Sequence, residues 1–180
     1  VDALFELSIR AGRFEAIHRL LCDLAGLELA VDDEVWRSEM TTSDRNLAIA
    51  HLLRSHGMIS DSPEEVVSAY ARQCAVLVTA EDLAVMAATL TNAGVQPVTG
   101  QRVFSGDQVR HLLSVMLTCG MYDSAGDWVS SVGIPAKSGV GGGIIGALPG
   151  HVGIATFSPR LDAHGNSVRG IEVFERLSRD

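Results

Sequence analysis

Apolar positions along most of the chain recur at helical spacing, and polar start signals and glycine stops divide them into groups. From Arg13, the residues Phe14, Ile17, Leu21 and Leu24 share one helical face and Gly26 supplies the stop. Asp32-Asp33-Glu34 places acids in the first turn of a short helix through Val35, Trp36 and Met40. Ser43-Asp44-Arg45-Asn46 opens a helix through Leu47, Ile49, Leu52 and Leu53 that stops at Gly57. Ser62-Pro63-Glu64-Glu65, with proline in the first turn, starts another through Val66, Val67, Tyr70 and Cys74. Thr79-Ala80-Glu81-Asp82 begins a helix over Leu83 to Asn92 that ends at Gly94, and Val95 to Val103 reads as a loop. Ser105-Gly106-Asp107-Gln108 fits a capping box, which predicts a helix from Asp107 to Thr118 broken at Gly120. Asp123 is expected to cap a short helix, Ser124 to Val132. After a loop from Ser158 to Gly165, a last helix carries Ile171, Phe174 and Leu177 on one face. Val1 to Ala11 holds Leu4, Phe5 and Ile9 without a start signal, as though an element had been cut into.

The period changes between Gly133 and Pro159. Ile144 to Leu148 and Val152 to Phe157 have strand length and β-branched content, and Pro149-Gly150 between them marks a turn, so a β-hairpin is predicted. The glycines before the hairpin call for a close neighbour at the backbone. That neighbour is either a substrate carbonyl meeting a free N–H, such as that of Val140, or a tightly packed strand or helix. A hairpin is not stable as an isolated sheet, so it is expected to complete one whose other strands lie upstream of Val1. With about eight helices and no repeat or linker, residues 1–180 are expected to form part of one mostly helical α+β domain.

Composition narrows the function. The apolar fraction of 47% and charged fraction of 20% belong to a folded chain, and the net charge of −8 leaves no basic stripe for nucleic acid. No apolar run is long enough to cross a bilayer, and a cytoplasmic location is expected. Cys22, Cys74 and Cys119 are odd in number, far apart and set among apolar residues, which predicts buried free thiols in a reducing compartment. Among the six histidines none pairs with another at i,i+4, His51 and His56 being five apart, so no zinc site is expected.

Two short motifs carry chemistry. Gly141-Gly142-Gly143-Ile144-Ile145-Gly146 matches the dinucleotide pattern G-x-G-x-x-G, but that motif needs a strand before it and a helix after it, and here strand-like residues follow. Lys137-Ser138-Gly139 matches one of three motifs of the serine β-lactamase and penicillin-binding class. The nucleophile motif Ser-x-x-Lys is absent, because Lys137 is the only lysine and Ile134 stands three positions before it.

Longer stretches resemble the bacterial and mitochondrial glutaminase family. They are Met121-Tyr122-Asp123, Val132 through Ile144, Phe157-Ser158-Pro159 and Gly165-Asn166-Ser167-Val168-Arg169-Gly170-Ile171, with Ser43 to Ala50 and Met86 to Gly94 upstream. The resemblance covers Glu39 to about Leu177 in the family's order. It implies a serine β-lactamase-like fold and hydrolysis of L-glutamine to L-glutamate and ammonia through an acyl-enzyme, without metal or organic cofactor. It further implies that Glu39 and Asn46 hold the amino-acid end of glutamine, with Glu39 on its ammonium group. Tyr70 and Tyr122 match two active-site tyrosines, and Val140 matches a backbone N–H of the oxyanion hole. Taken without the family, Glu39 reads as a solvated helix face, Asn46 as a capping residue, and the tyrosines as amphipathic packing.

The family's serine and lysine, its first substrate tyrosine and a further substrate asparagine lie before the part that this chain matches. The expectation is therefore a C-terminal portion of a glutaminase catalytic domain, inactive alone, whose partners are the upstream part of that domain and L-glutamine. The resemblance also implies a homodimer or homotetramer. The alternative is a non-catalytic glutamine-binding or assembly module of the same fold.

Overall fold

The structure, a computed structural model, describes residues 14–179, and the expected interrupted element at Val1 to Ala11 lies outside them. The chain forms two compact units: residues 14–22 with 27–77, and residues 23–26 with 78–179.

The first unit is helical. It holds α1 (Phe14–Ala25, its last turn belonging to the second unit), α2 (Asp33–Thr41), α3 (Asp44–Ser55) and α4 (Pro63–Cys74). Two of the start signals cap through their side chains, while Ser43 holds the cap position of α3 without a side-chain bond. The Asp32 carboxylate accepts from the N–H groups of Glu34 and Val35, and the Ser62 hydroxyl accepts from Glu65 N–H with Pro63 at the helix entrance. Ala50, Ile59, Val66 and Val67 are buried, with Met40, Leu47 and Leu53 packed on them. The strand-like link between α1 and α2 is tied to the end of α4 by Leu77 N–H to Ala30 O and Asp32 N–H to Ala75 O, both 2.9 Å.

The second unit holds α5 (Ala80–Thr91), α6 (Gly106–Cys119), a 3-10 turn (Tyr122–Ser124), α7 (Ala125–Ser131), β1 (Ala136–Ser138), β2 (Gly143–Leu148), β3 (Val152–Phe157) and α8 (Val168–Leu177). Complete capping boxes close on Thr79 with Asp82 and on Ser105 with Gln108. Asp123 does not cap α7 as expected: it lies inside the 3-10 turn, and Ser124 takes the cap position without a side-chain bond.

The hairpin is as predicted, with Gly143 opposite Phe157 and Leu148 opposite Val152 in antiparallel register. A third strand within the chain, not foreseen in the sequence, joins it. Residues Ala136–Ser138 pair antiparallel with Ile144–Gly146 and give the order β1-β2-β3. A three-residue strand is too short for alternation to reveal it. Residues 141–148 run into a strand rather than a helix, which removes the dinucleotide reading.

Both faces of this sheet are covered. Ala136, Ile144 and Ile154 face a core with Met121, Trp128, Ile134 and Phe174, while Ile145 and Ala147 face Leu90, Leu113 and Met116. Helices on both faces explain why β2 reads as an unbroken apolar run. Two strand glycines permit the contact. A Cβ at Gly146 would fall 2.4 Å from the Phe174 ring, and one at Gly153 would fall 2.2 Å from the Ala88 nitrogen and 2.6 Å from the Ala84 carbonyl oxygen of α5. All three cysteines are free, but only Cys22 is partly buried. Cys74 and Cys119 are exposed, contrary to expectation, because each is the last residue of its helix. Among the described residues, no helix is long and apolar enough to cross a membrane.

These contacts separate two kinds of glycine. Gly153→Ala drives a methyl group into helix backbone that cannot yield, so it is expected to destabilise by about 1–3 kcal/mol. Gly126→Ala, within α7 and with nothing within 4 Å of the new methyl, should stabilise by about 0.4–1 kcal/mol. Thermal unfolding of the two variants should move Tm in opposite directions.

Candidate active site

In the second unit the turn from β1 to β2 forms one wall. Gly142 N–H donates to Gly139 O and Gly139 N–H donates to Gly143 O, both at 2.9 Å. In such a turn the hydrogen bond uses the first carbonyl and the fourth N–H, which leaves the N–H of the second residue, Val140, outside it. Val140 is 71% exposed at this tip. Of the surrounding glycines only Gly142 is crowded. It has φ +98°, and a Cβ there would lie 3.0 Å from the Ser158 carbonyl oxygen, whereas Gly141 faces open space.

Tyr122 stands beside this wall. Its φ of +52° is a left-handed conformation that non-glycine residues seldom adopt. The Lys137 ammonium lies over its ring, 4.3 Å from the centroid, and also donates to the Ser138 carbonyl. Partial desolvation in this position lowers the lysine pKa below its ordinary value. Gly165, at φ +91°, brings the two sides together, since its missing Cβ would lie 3.6 Å from Val140 Cγ1 and 3.7 Å from Tyr122 Cε2.

The loop bearing Gly165 is itself fixed. Asp162 Oδ1 accepts from the N–H groups of His164 and Asn166, both at 2.9 Å, and the Ser167 hydroxyl donates to Ser158 O at 2.7 Å. Fully buried Asn166 donates through Nδ2 to the carbonyl of Met121, the residue before Tyr122, at 3.4 Å. Ser138, also buried, has its N–H on Gly120 O at 3.0 Å and, among the described residues, no hydrogen-bond partner for its hydroxyl.

The first unit carries the other candidates. Glu39 is exposed on α2, and Asn46 is half-buried in the first turn of α3. Asn46 is not the cap of α3, because Ser43 holds that position. The Tyr70 hydroxyl on α4 hydrogen-bonds the Cys74 thiol, and the Glu39 charge reaches the same thiol. Desolvation of the thiol pushes the Cys74 pKa up, the Tyr70 hydrogen bond opposes it, and the Glu39 charge adds a smaller upward push. The structure thus groups Glu39 with Tyr70 in one unit and Tyr122 with Val140 in the other. Sequence reasoning noted Lys137 only as part of a Lys-Ser-Gly motif and expected the family's catalytic lysine to lie upstream. The Lys-Ser-Gly motif was the signal that could have placed Lys137 in the site, whereas nothing local marked Asn166 as the tie behind Tyr122.

A helix-flanked antiparallel sheet with these motifs defines an α+β domain of the serine β-lactamase-like class. The family model described as Glutaminase matches residues 1–180, and the chain belongs to that family. "Glutaminase 1" of Bradyrhizobium diazoefficiens is 56% identical over 168 residues, which are 93% of this chain and 27% of that protein. The native form of the solved protein Mglu superposes with TM-score 0.89 at 54% identity, covering 93% of this chain and 40% of the other. A Bacillus subtilis glutaminase, YbgJ, solved as a covalent complex with 5-oxo-L-norleucine after reaction with 6-diazo-5-oxo-L-norleucine, gives TM-score 0.91 at 32% identity, over 98% and 65%. The chain therefore spans less than two thirds of the length of each of these relatives.

Because Lys137 is the only lysine, its titration can be read alone. With lysine labelled at Cε, the folded chain should show one resonance titrating below the unperturbed pKa of about 10.4. The sign follows from linkage. The unfolded chain binds more protons in the window between the two pKa values, so this group's contribution to stability rises with pH there and is lost as pH falls through the folded pKa. Lys137→Met should remove that dependence, and a folded midpoint at or above the unfolded one would contradict the desolvated placement.

Proposed function

We propose that the chain is the C-terminal portion of a glutaminase catalytic domain that hydrolyses the side-chain amide of L-glutamine through a serine acyl-enzyme. The observation that carries the reading is the wall on which Tyr122, Lys137 and the open N–H of Val140 meet around Gly165. Family membership and solved relatives, one described in a glutamate form, support it.

In this reading a serine from the upstream part attacks the amide carbon, and the carbonyl oxygen takes up the electron pair as an oxyanion that Val140 N–H stabilises. Collapse of that intermediate breaks the C–N bond. Tyr122 relays the serine proton toward the leaving nitrogen, so ammonia departs and a glutamyl ester remains. Water then attacks the ester through a second oxyanion and releases glutamate. Lys137, held over the Tyr122 ring, supplies positive potential where negative charge develops. Glu39 pairs with the substrate ammonium, Asn46 accompanies it at the amino-acid end, and Tyr70 acts as the second substrate-contacting tyrosine. The enzyme is proposed to work as a homo-oligomer. Since the chain contains no Ser-x-x-Lys, a non-catalytic glutamine-binding module is the second reading, and activity separates the two.

The 180-residue chain alone should release no ammonia from glutamine above background. In an enzyme of the family's full length carrying this sequence, Tyr122→Phe should lower kcat by at least about a hundredfold with KM within a few-fold, as expected for loss of a positioned acid–base group. Glu39→Gln should raise KM more than it lowers kcat, because an ammonium–carboxylate pair is present in ground state and transition state alike. The reversed pattern in steady-state ammonia release would exchange the two roles.

A further inference from the structure

His18 and Cys22 stand four residues apart on the same face of α1, and Glu28 follows in the loop after the helix. Their ligand atoms all lie within 4.8 Å of one another. Cys22 Sγ is 3.9 Å from His18 Nδ1 and 3.8 Å from Nε2, and Glu28 Oε1 is 4.0 Å from Nδ1.

We propose that His18, Cys22 and Glu28 form a three-ligand site for a borderline-soft divalent cation, with Zn²⁺ the natural occupant and water in the fourth position. This proposal is independent of the glutaminase reading. The surroundings of the three residues are those of a metal site. His18 Nε2 lies 2.7 Å from the Leu29 carbonyl oxygen, which can only accept, so Nε2 carries the proton and Nδ1 keeps a free lone pair. A backbone carbonyl on the far imidazole nitrogen is the usual outer support of a metal-bound histidine. The N–H of Leu29 itself donates to Cys22 Sγ at 3.4 Å. Leu29 thereby orients two ligands at once, through its carbonyl and its N–H.

Distances agree with a small closure. Zn²⁺ holds nitrogen at about 2.0–2.1 Å and sulfur at about 2.3 Å, so a tetrahedral N···S edge is about 3.5 Å. The separation of 3.9 Å must shorten by a few tenths of an ångström, with a turn of the imidazole toward the sulfur. The Glu28 side chain, 85% exposed, can swing in from solvent. The site opens into a cavity of about 490 Å³ lined in part by Phe14, Arg19 and Arg72, which leaves room for the water. Phe14 stacks on the His18 ring, with centroids 5.2 Å apart. Binding forms metal–sulfur, metal–nitrogen and metal–oxygen bonds and releases the thiol proton to solvent, so affinity must rise with pH.

Two measurements on the purified chain test this. Co²⁺ should give a thiolate-to-cobalt charge-transfer band at one equivalent per chain, displaced by Zn²⁺. Cys22→Ser should abolish the band and His18→Gln should weaken Zn²⁺ binding by at least about tenfold, while a Cys74→Ser, Cys119→Ser double variant keeps both. Independently of whether any variant folds, Zn²⁺ should shield Cys22 from alkylation in the unsubstituted chain and leave the exposed Cys74 and Cys119 reactive, as read by peptide mass spectrometry. Absence of the band, its survival in folded Cys22→Ser, or equal alkylation of all three thiols with and without Zn²⁺ would each overturn the site.

Discussion

The sheet meets its helices most closely where no Cβ stands between them, and the arrangement of the second unit depends on those points. Gly153 meets the backbone of α5 directly, and Gly146 gives up its side-chain space to the Phe174 ring of α8. Gly120 does the same for β1: a Cβ there would collide with the Ala136 carbonyl, while the Gly120 carbonyl accepts from Ser138 N–H. With β1 held at that distance, Lys137 lies over Tyr122 and the β1–β2 turn presents Val140. The site wall is thus a consequence of close backbone packing beneath it.

The same packing raises a cost that the loop after β3 offsets. Tyr122 occupies a left-handed backbone conformation, which for an L-residue costs on the order of 1–2 kcal/mol. Its neighbours over-determine that conformation. Asn166 holds the preceding carbonyl, Gly165 lies against the ring edge and Lys137 covers the face. Strain kept in place by several independent contacts is the form expected where a side chain must be presented in one orientation.

Most helices were legible because their ends carry chemistry of their own. The Thr79 and Ser105 capping boxes, Pro63 and the stops at Gly26 and Gly57 are local signals, and the structure closes on them. The hairpin was legible from Pro149-Gly150 between two apolar runs. What escaped depends on residues distant in the chain. β1 is three residues long and exists only because β2 pairs with it, and Asn166 matters only because Met121, 45 residues away, offers it a carbonyl. Asp123 was misread as a cap because residues 122–124 close into a 3-10 turn that its local sequence does not mark. The exposure of Cys74 and Cys119 came from their places at helix ends, which apolar neighbours in sequence conceal. Of the site, the tyrosines, Glu39, Asn46 and Val140 came from a family resemblance, whereas the Lys137–Tyr122 contact required coordinates.

In the proposed division of labour this chain supplies the oxyanion wall and substrate-holding side chains, and the nucleophile comes from outside it. Covalent labelling tests that most directly. An enzyme of the family's full length containing this sequence would be treated with 6-diazo-5-oxo-L-norleucine, digested and mapped by mass spectrometry. The account predicts a single adduct on a serine of a Ser-x-x-Lys segment, with every peptide of the 180 residues unmodified. An adduct on a residue of this chain, Ser138 above all, would contradict it.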